Sequence, residues 1–173
     1  MSSTGNILLI GMPGCGKSAL GRQVARQAGL DFVDMDDWVQ TLSGQSIPQL
    51  FAQGEEVFRD WETAACRDLA QRSDTIIAAG GGVVVRPQNI DYFRPRSTII
   101  YINRPVEQIA QGIDRTSRPL LKEDAERLFV LYEQRRALYE QAADQTLFNT
   151  GTQQAAQEAL LRMVRRAIKE EKE

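Results

Sequence analysis

A glycine-rich segment near the start of the sequence, GMPGCGKS at residues 11–18, restricts the possible folds more than any other feature. It directly follows the apolar run NILLI at 6–10, and a helical pattern begins at about residue 17. The segment matches G-x4-G-K-[ST], a pattern that needs a strand before it and a helix after it. Glycine lets backbone N–H groups curl around phosphate oxygens, and the following helix directs its positive end towards them. This phosphate loop therefore predicts a site for a nucleoside triphosphate.

The residues of the phosphate loop have different expected tasks. The Lys17 ammonium is placed to reach the β and γ phosphates, and the Ser18 hydroxyl is placed to be a ligand of Mg²⁺. Cys15 is interpreted as a small residue in a tight place, with a reactive thiol beside a helix N-terminus as the alternative. The predicted nucleotide contacts are Gly14, Cys15, Gly16, Lys17, Ser18 and Ala19.

Short apolar runs alternate with helical patterns along the rest of the chain. Most runs lack polar alternation, which is typical of parallel strands covered on both faces. The predicted strands are 6–10, 31–35, 75–79, 97–102 and 145–148, and the predicted helices lie near 17–28, 55–72, 105–111, 123–142 and 152–170. This order predicts a doubly wound α/β fold, a three-layer α/β/α sandwich with a central five-stranded parallel sheet. Because no repeat, low-complexity segment or long linker occurs, residues 1–173 are predicted to form one domain.

Ligands of such sheets bind beyond the carboxyl ends of the strands. Those ends are followed here by the phosphate loop, by DMDD at 34–37 and by GGG at 80–82. Asp34 and Asp36 face a site that must hold Mg²⁺, so one carboxylate can support the metal through water while the other meets a substrate hydroxyl. Asp37 is interpreted as a solvated residue or a helix cap.

The composition excludes several classes of function. With 173 residues, 42% of them apolar, the chain is long enough to bury one core. The absence of histidine excludes Ser-His-Asp catalysis, histidine general bases and histidine-containing zinc sites. A formal net charge of −2 argues against general binding to nucleic acid or anionic membranes. The 17 arginines against 4 lysines suit small anionic ligands.

Two further observations concern the cellular compartment. Cys15 and Cys66 form neither a disulfide framework nor a CxxC pair, which suits a reducing environment. No apolar run approaches the roughly 18 residues of a membrane span, and MSSTGN lacks the regions of a signal peptide. We expect a cytoplasmic protein that acts as a monomer.

Several segments occur in an order that resembles the shikimate kinase family, the small P-loop kinases of aromatic amino-acid biosynthesis. They are GMPGCGKS, DMDDWVQTLSGQSIPQLFAQGEEVFRDWE, AAGGGVV, SRPLL and RRALYEQAAD, and the resemblance covers about residues 6–150. It implies a P-loop fold like that of nucleoside monophosphate kinases, with a substrate-binding helical segment at about 35–62 and a mobile lid at about 111–124. The implied reaction is transfer of the γ-phosphoryl group of ATP to the 3-hydroxyl of shikimate, with Mg²⁺ as cofactor.

The resemblance also implies a role for each matched residue. Lys17 and Arg118 hold the γ-phosphate, while Ser18 and, through water, Asp34 support Mg²⁺. Asp36 engages the attacking hydroxyl and accepts its proton. The implied shikimate contacts are Asp36, Arg59, Gly81, Gly82 and Arg135.

The residue pattern supports the two substrate arginines independently. Arg59 lies at the margin of an apolar stripe, and Glu62 can hold it in place, although this spacing also suits an ordinary surface ion pair. Arg135 falls on a second apolar stripe, where a charge is costly unless a substrate or protein carboxylate pairs with it. Arg136 is interpreted as a solvated neighbour. The stripes are Phe58, Trp61, Ala65 and Leu69, and Leu128, Leu131, Tyr132, Leu138 and Tyr139.

Two positions depart from the family pattern. Gln111 stands where many members have an arginine that stacks on adenine, and Ala79 stands where a hydroxyl residue is frequent. Arg115 could replace the missing arginine, and FNTGT at 148–152 could approach the base from the other side.

Three other functions fit parts of the same pattern. Another small P-loop kinase could act on a nucleoside monophosphate or on gluconate, but GEEVFRDWE, GGG and RRALYEQ fit shikimate better. A regulatory GTPase would carry N-K-x-D, and no asparagine in this sequence is followed by lysine. A non-catalytic shikimate sensor is the third alternative, and Lys17, Ser18, Asp34 and Arg118 argue against it.

Overall fold

The computed structural model describes residues 5–112 and 122–170, and this part of the chain contains a five-stranded parallel sheet. Leu8 in the central strand is paired with Ile77 on one side and Ile99 on the other. The strands are β1 Asn6–Ile10, β2 Asp31–Asp34, β3 Thr75–Ala78, β4 Ser97–Asn103 and β5 Gln145–Phe148, in the order β2-β3-β1-β4-β5. The five predicted strands are confirmed, with ends that differ by one residue at most.

Helices cover both sides of this sheet, which confirms the predicted three-layer architecture. Every residue of β1 and β3 is buried, as expected of parallel strands inside such a sandwich. In the described ranges the helices are α1 Lys17–Ala28, α2 Met35–Ser43, α3 Ile47–Gln53, α4 Glu55–Leu69, α5 Pro87–Phe93, α6 Val106–Gly112, α7 Lys122–Ala142 and α8 Gln153–Glu170. The sequence analysis missed α5. None of the described helices has both the length and the apolar character needed to cross a bilayer.

The helical segment predicted at about 35–62 consists of three helices because caps and glycines interrupt it. The carboxylate of Asp34 caps the backbone N–H groups in the first turn of α2. Gly44, with a φ of 69°, ends that helix. A capping box at Ser46 begins α3, and Gly54, with a φ of 128°, separates α3 from α4.

Three loops meet at one edge of the sheet because β2, β3 and β1 are neighbours. They are the phosphate loop, the acidic turn (residues 34–37) and the glycine turn (residues 80–82). The Ala79 N–H donates to the Leu9 carbonyl oxygen at 3.0 Å, which holds the glycine turn beside the phosphate loop. The three loops therefore converge at the carboxyl edge of the sheet, as the sequence predicts. Of the predicted lid, residues 113–121 lie outside the described ranges.

Candidate active site

The phosphate loop has the backbone that its glycines predict. Gly11, Gly14 and Gly16 have positive φ, and a Cβ on Gly11 would lie 2.6 Å from the carbonyl oxygen of Ile102. Helix α1 begins at Lys17, so the free N–H groups of its first turn point towards the loop. Lys17 is 8% exposed, and its Nζ donates to the Gly11 carbonyl at 2.8 Å. The predicted phosphate-binding lysine therefore lies within the loop.

Two residues from distant parts of the chain hold this loop, and the sequence analysis assigned neither to it. Asn149 follows β5, is 8% exposed and donates from Nδ2 to the Cys15 carbonyl at 3.1 Å. Arg104 follows β4 and donates from Nη1 to the Gly14 carbonyl at 3.2 Å. The sequence feature that could have identified both residues is their position, since each is a polar residue just beyond the carboxyl end of a strand. Cys15 is fully buried, in agreement with its interpretation as a space-filling residue.

The two predicted metal-supporting residues contact each other. Ser18 Oγ donates to Asp34 Oδ2 at 2.5 Å. Of the two alternatives for Asp37, the structure agrees with a solvated residue, because Asp37 is exposed and Asp34 Oδ1 is the cap of α2. The described residues contain no group of three or more His, Cys, Asp or Glu side chains arranged for a metal. One hydroxyl and one carboxylate nevertheless fit Mg²⁺, which keeps several waters and binds substrate phosphates.

Asp36 lies where the acidic turn, the glycine turn and α4 meet. A Cβ on Gly80 would lie 3.1 Å from Asp36 Oδ1 and 3.0 Å from Glu62 Oε2. Burial raises the pKa of Asp36, and the charge of Asp34 raises it further, against the opposing charge of Lys17. A raised pKa makes the ionised carboxylate a stronger base. Asp36 is therefore suited to accept a proton.

Arg59, predicted at the margin of the apolar stripe of α4, is buried inside the site, with 6% of its surface exposed. Its Nη1 donates to Glu62 Oε1 at 2.8 Å, and its Nη2 donates to Glu55 Oε1 at 3.3 Å. Glu62 is 1% exposed, so the alternative of an ordinary surface ion pair is wrong. Burial raises the pKa of Glu62, despite its bond to Arg59. A Cβ on Gly82 would lie 2.7 Å from Arg59 Cζ, so glycine leaves room for the guanidinium.

Arg135 reaches the same region from α7. It is half-buried, and its positive charge lowers the pKa of the Tyr139 hydroxyl, one helical turn away, against the larger effect of burial. Tyr139 in turn donates to the Gly81 carbonyl at 2.5 Å. The charges of Arg59 and Arg135 both act on Glu62. The two arginines predicted to bind one carboxylate therefore face a common region of the site.

The structure describes only some of the other residues for which the sequence predicted a position or a role in this region. Arg136 is exposed and pairs with Glu140 at 3.6 Å, which confirms it as a solvated neighbour. Gln111 is exposed near the end of α6. Arg115 and Arg118 lie outside the described residues.

A cavity of about 260 Å³ lies beside the end of β5. Tyr132, Phe148 and Thr150 form part of its wall, and Pro105 forms another part. Phe148 and Thr150 belong to the segment FNTGT, which the sequence analysis placed near the nucleotide base.

Comparisons with known proteins indicate the family to which this chain belongs. A family model described as shikimate kinase matches residues 13–167. A shikimate kinase of Clostridium beijerinckii is 46% identical over 143 residues, which are 83% of this chain and 85% of the relative. A shikimate kinase of Clostridium botulinum is 41% identical over 146 residues, which are 84% of this chain and 88% of the relative.

Solved structures give the same result. Shikimate kinase from Acinetobacter baumannii in complex with shikimate is similar with a TM-score of 0.83 and 30% identity, covering 94% of each chain. A gluconokinase from Sinorhizobium meliloti has a TM-score of 0.58 and 15% identity, covering 95% of this chain and 98% of its own, and it shares the fold alone. This chain therefore belongs to the shikimate kinase family, the P-loop kinases that phosphorylate shikimate with ATP in aromatic amino-acid biosynthesis.

Proposed function

We propose that the three loops at the edge of the sheet carry out this reaction as one site, giving shikimate 3-phosphate and ADP. The observation that carries the proposal is the contact of Asp36, Glu62 and Arg59 with the glycine turn, beside the phosphate loop. Phosphoryl transfer passes through a loose transition state, so positioning and charge neutralisation matter more than covalent chemistry.

On the substrate side, Arg59 and Arg135 bind the shikimate carboxylate from two directions. Arg59 is held for this task by Glu62, and Arg135 lies beside Tyr139. Asp36 orients the 3-hydroxyl and accepts its proton as the oxygen attacks, which its raised pKa favours. The backbone N–H groups of Gly81 and Gly82 donate to the ring oxygens.

On the nucleotide side, Lys17 would exchange the loop carbonyls for the β and γ phosphates, and Ser18 and, through water, Asp34 would hold Mg²⁺. When bound, Mg²⁺ neutralises charge that develops on the phosphate oxygens. The backbone from Gly14 to Ala19 surrounds the phosphates. Arg118 stays assigned to the γ-phosphate by the family resemblance alone.

The acceptor assignment is supported by a relative. The Acinetobacter baumannii shikimate kinase, which covers nearly all of this chain, was solved in complex with shikimate. Gluconate is the rival acceptor, and its support is limited to a shared fold.

The test is release of ADP from ATP and Mg²⁺ with shikimate, with gluconate or with neither. We expect release only with shikimate, and none when EDTA replaces free Mg²⁺. Lys17→Ala is expected to lower the rate by about 10²- to 10³-fold or more. Lys169→Ala, which removes an exposed lysine near the end of α8, is the matched control and keeps the wild-type rate.

Each negative result has a distinct meaning. ATP binding without shikimate-dependent release would contradict the acceptor, and release with gluconate would replace it. Turnover that persists in EDTA would contradict Mg²⁺ as cofactor. A phosphate at another hydroxyl, located by ³¹P NMR of the product, would contradict the role given to Asp36.

We further propose that the enzyme works as a monomer in the cytoplasm. The described residues of a single chain supply both proposed carboxylate-binding arginines, and both cysteines are free and buried, which suits a reducing compartment. Sedimentation at assay concentration tests the first point, and cell fractionation tests the second.

A further inference from the structure

Two of the proposed shikimate contacts lie on elements that are distant in sequence. Gly81 belongs to the glycine turn after β3, whereas Arg135 belongs to α7. Tyr139 lies one helical turn after Arg135 and joins the two elements, because its hydroxyl donates to the Gly81 carbonyl at 2.5 Å.

The ring of Tyr139 is held rigidly. It is 0% exposed and stacks on Tyr101 of β4, with ring centroids 5.2 Å apart and planes inclined by 25°. A hydroxyl on a ring fixed in this way has a defined position, so it can determine where its partners lie.

The Tyr139 hydroxyl also lies where the glycine turn packs on the phosphate loop. Its oxygen is 3.9 Å from Met12 Sδ, and a Cβ on Gly81 would lie 2.7 Å from Pro13 Cδ. The carbonyl that Tyr139 holds therefore belongs to a residue in close contact with the nucleotide side of the site.

Arg135 lies one helical turn before Tyr139 on α7 and is half-buried. Burial raises the pKa of Tyr139 to about 12, while the nearby charge of Arg135 acts in the opposite direction. The hydroxyl therefore stays protonated at neutral pH, and its proton is available for the bond to the Gly81 carbonyl.

We propose that Tyr139 is a positioning residue for shikimate, because it holds the Gly81 backbone against α7, the helix that carries Arg135, and so fixes the distance between these two proposed shikimate contacts. This inference rests on the proposed function, because Arg135 and Gly81 are shikimate contacts only there. Tyr139 does not touch the reacting atoms, and its effect is on acceptor binding rather than on phosphoryl transfer itself.

The test compares Tyr139→Phe with Tyr101→Phe. Each variant removes one hydroxyl from the same stacked pair and keeps both rings, so Tyr101→Phe is a matched control for packing. We would measure steady-state kinetics with shikimate and with ATP varied in turn. The temperature of the assay lies well below the melting temperature of the less stable variant. For Tyr139→Phe we expect the KM for shikimate to rise by about 3- to 10-fold, as loss of one hydrogen bond implies. The KM for ATP and kcat are expected to stay near wild type, and Tyr101→Phe is expected to keep all three constants.

Three outcomes would overturn the proposal. A Tyr139→Phe enzyme with a lowered melting temperature but an unchanged KM for shikimate would make Tyr139 a core residue only. An equal rise in both KM values would indicate general loosening of the site, as would the same change in Tyr101→Phe. If the wild-type enzyme shows no shikimate-dependent ADP release, the proposed function is contradicted and the positioning role with it. If the wild type is active and Tyr139→Phe keeps the wild-type KM for shikimate, only the positioning role is contradicted.

Discussion

At the scale of single residues, the proposed chemistry depends most directly on Asp36, the acceptor of the hydroxyl proton. Asp36→Asn keeps the size of the side chain but removes its basicity. We predict that kcat falls by about 10²- to 10⁴-fold while the Kd for ATP changes little. Asp37→Asn removes an exposed carboxylate from the next position and is the matched control, with kcat near wild type. Similar losses in both variants would indicate a general charge effect instead of proton transfer.

The pH dependence of the wild-type rate follows from the same residue. Burial and the charge of Asp34 raise the pKa of Asp36 above its ordinary value of 3.8. Its basic form is therefore lost as the pH falls through that raised pKa. We predict an acid limb in kcat/KM for shikimate centred above pH 3.8, and no such limb in the residual activity of Asp36→Asn. Circular dichroism at each pH controls for unfolding, and a profile of the folded wild type without this limb would rule out Asp36 as the base.

Arg59 has a structural role in addition to its proposed contact with substrate. Arg59→Met leaves Glu62 as a buried, unpaired carboxylate, so we predict a loss of about 3–5 kcal/mol in the free energy of unfolding. Arg59→Met combined with Glu62→Gln removes both charges and should recover most of this loss. Shikimate binding should stay lost in the double variant. Urea unfolding measures the first effect and titration calorimetry the second, and recovered shikimate binding would argue against Arg59 as a carboxylate ligand.

At the scale of elements, the glycine turn determines how closely α4 can approach the phosphate loop. A Cβ on Gly82 would lie 2.7 Å from Arg59 Cζ. Gly82→Ala therefore displaces the guanidinium, and we predict that the KM for shikimate rises by about 5- to 150-fold, as overpacking implies. In Gly151→Ala the added methyl group meets no atom within 4 Å, so this variant is the control and should keep the wild-type KM for shikimate. An unchanged KM in Gly82→Ala would show that Arg59 can shift without affecting substrate.

Helices and strands that a strong local sequence pattern marks could be predicted. Those with only a weak or ambiguous sequence pattern could not. Strands β1, β3 and β4 contain uninterrupted apolar runs, and α1 follows a loop whose pattern requires a helix. The boundaries of α2 and α3 depend on caps at Asp34 and Ser46, and these polar residues have several other uses in turns. Helix α5 has only seven residues, and its short pattern was not recognised, although α6 of the same length was predicted.

At the scale of the whole molecule, the raised pKa of Asp36 links function to stability. The folded protein keeps a proton on Asp36 to higher pH than the unfolded chain, whose value is near 3.8. The contribution of Asp36 to stability is thus complete below pH 3.8 and is lost as the pH rises through the folded-state pKa. We predict that Asp36→Asn melts above wild type at neutral pH, and that the difference narrows in acid. Differential scanning calorimetry at several pH values measures this difference in melting temperature. If Asp36→Asn melts below wild type at neutral pH, the proposed link between the pKa of Asp36 and stability is contradicted.

The candidate site could be predicted where one segment carries the whole signal. GMPGCGKS specifies both the glycine conformations and Lys17, and the spacing of Arg59 and Glu62 indicated their pairing. The burial of that pair could not be predicted, because it depends on the approach of Gly80 and Gly82 from the end of β3. Arg118 stays a prediction, since it lies outside the described residues.

The sequence by itself determined the strands, the phosphate loop and the order of the acidic and glycine turns, because each depends on neighbours a few residues away. Only the tertiary structure decided what holds these loops together. Asn149 supports the loop at Cys15 from 134 residues away, and Tyr139 holds Gly81 from 58 residues away. Such contacts depend on which strands lie side by side, and local spacing does not encode that order.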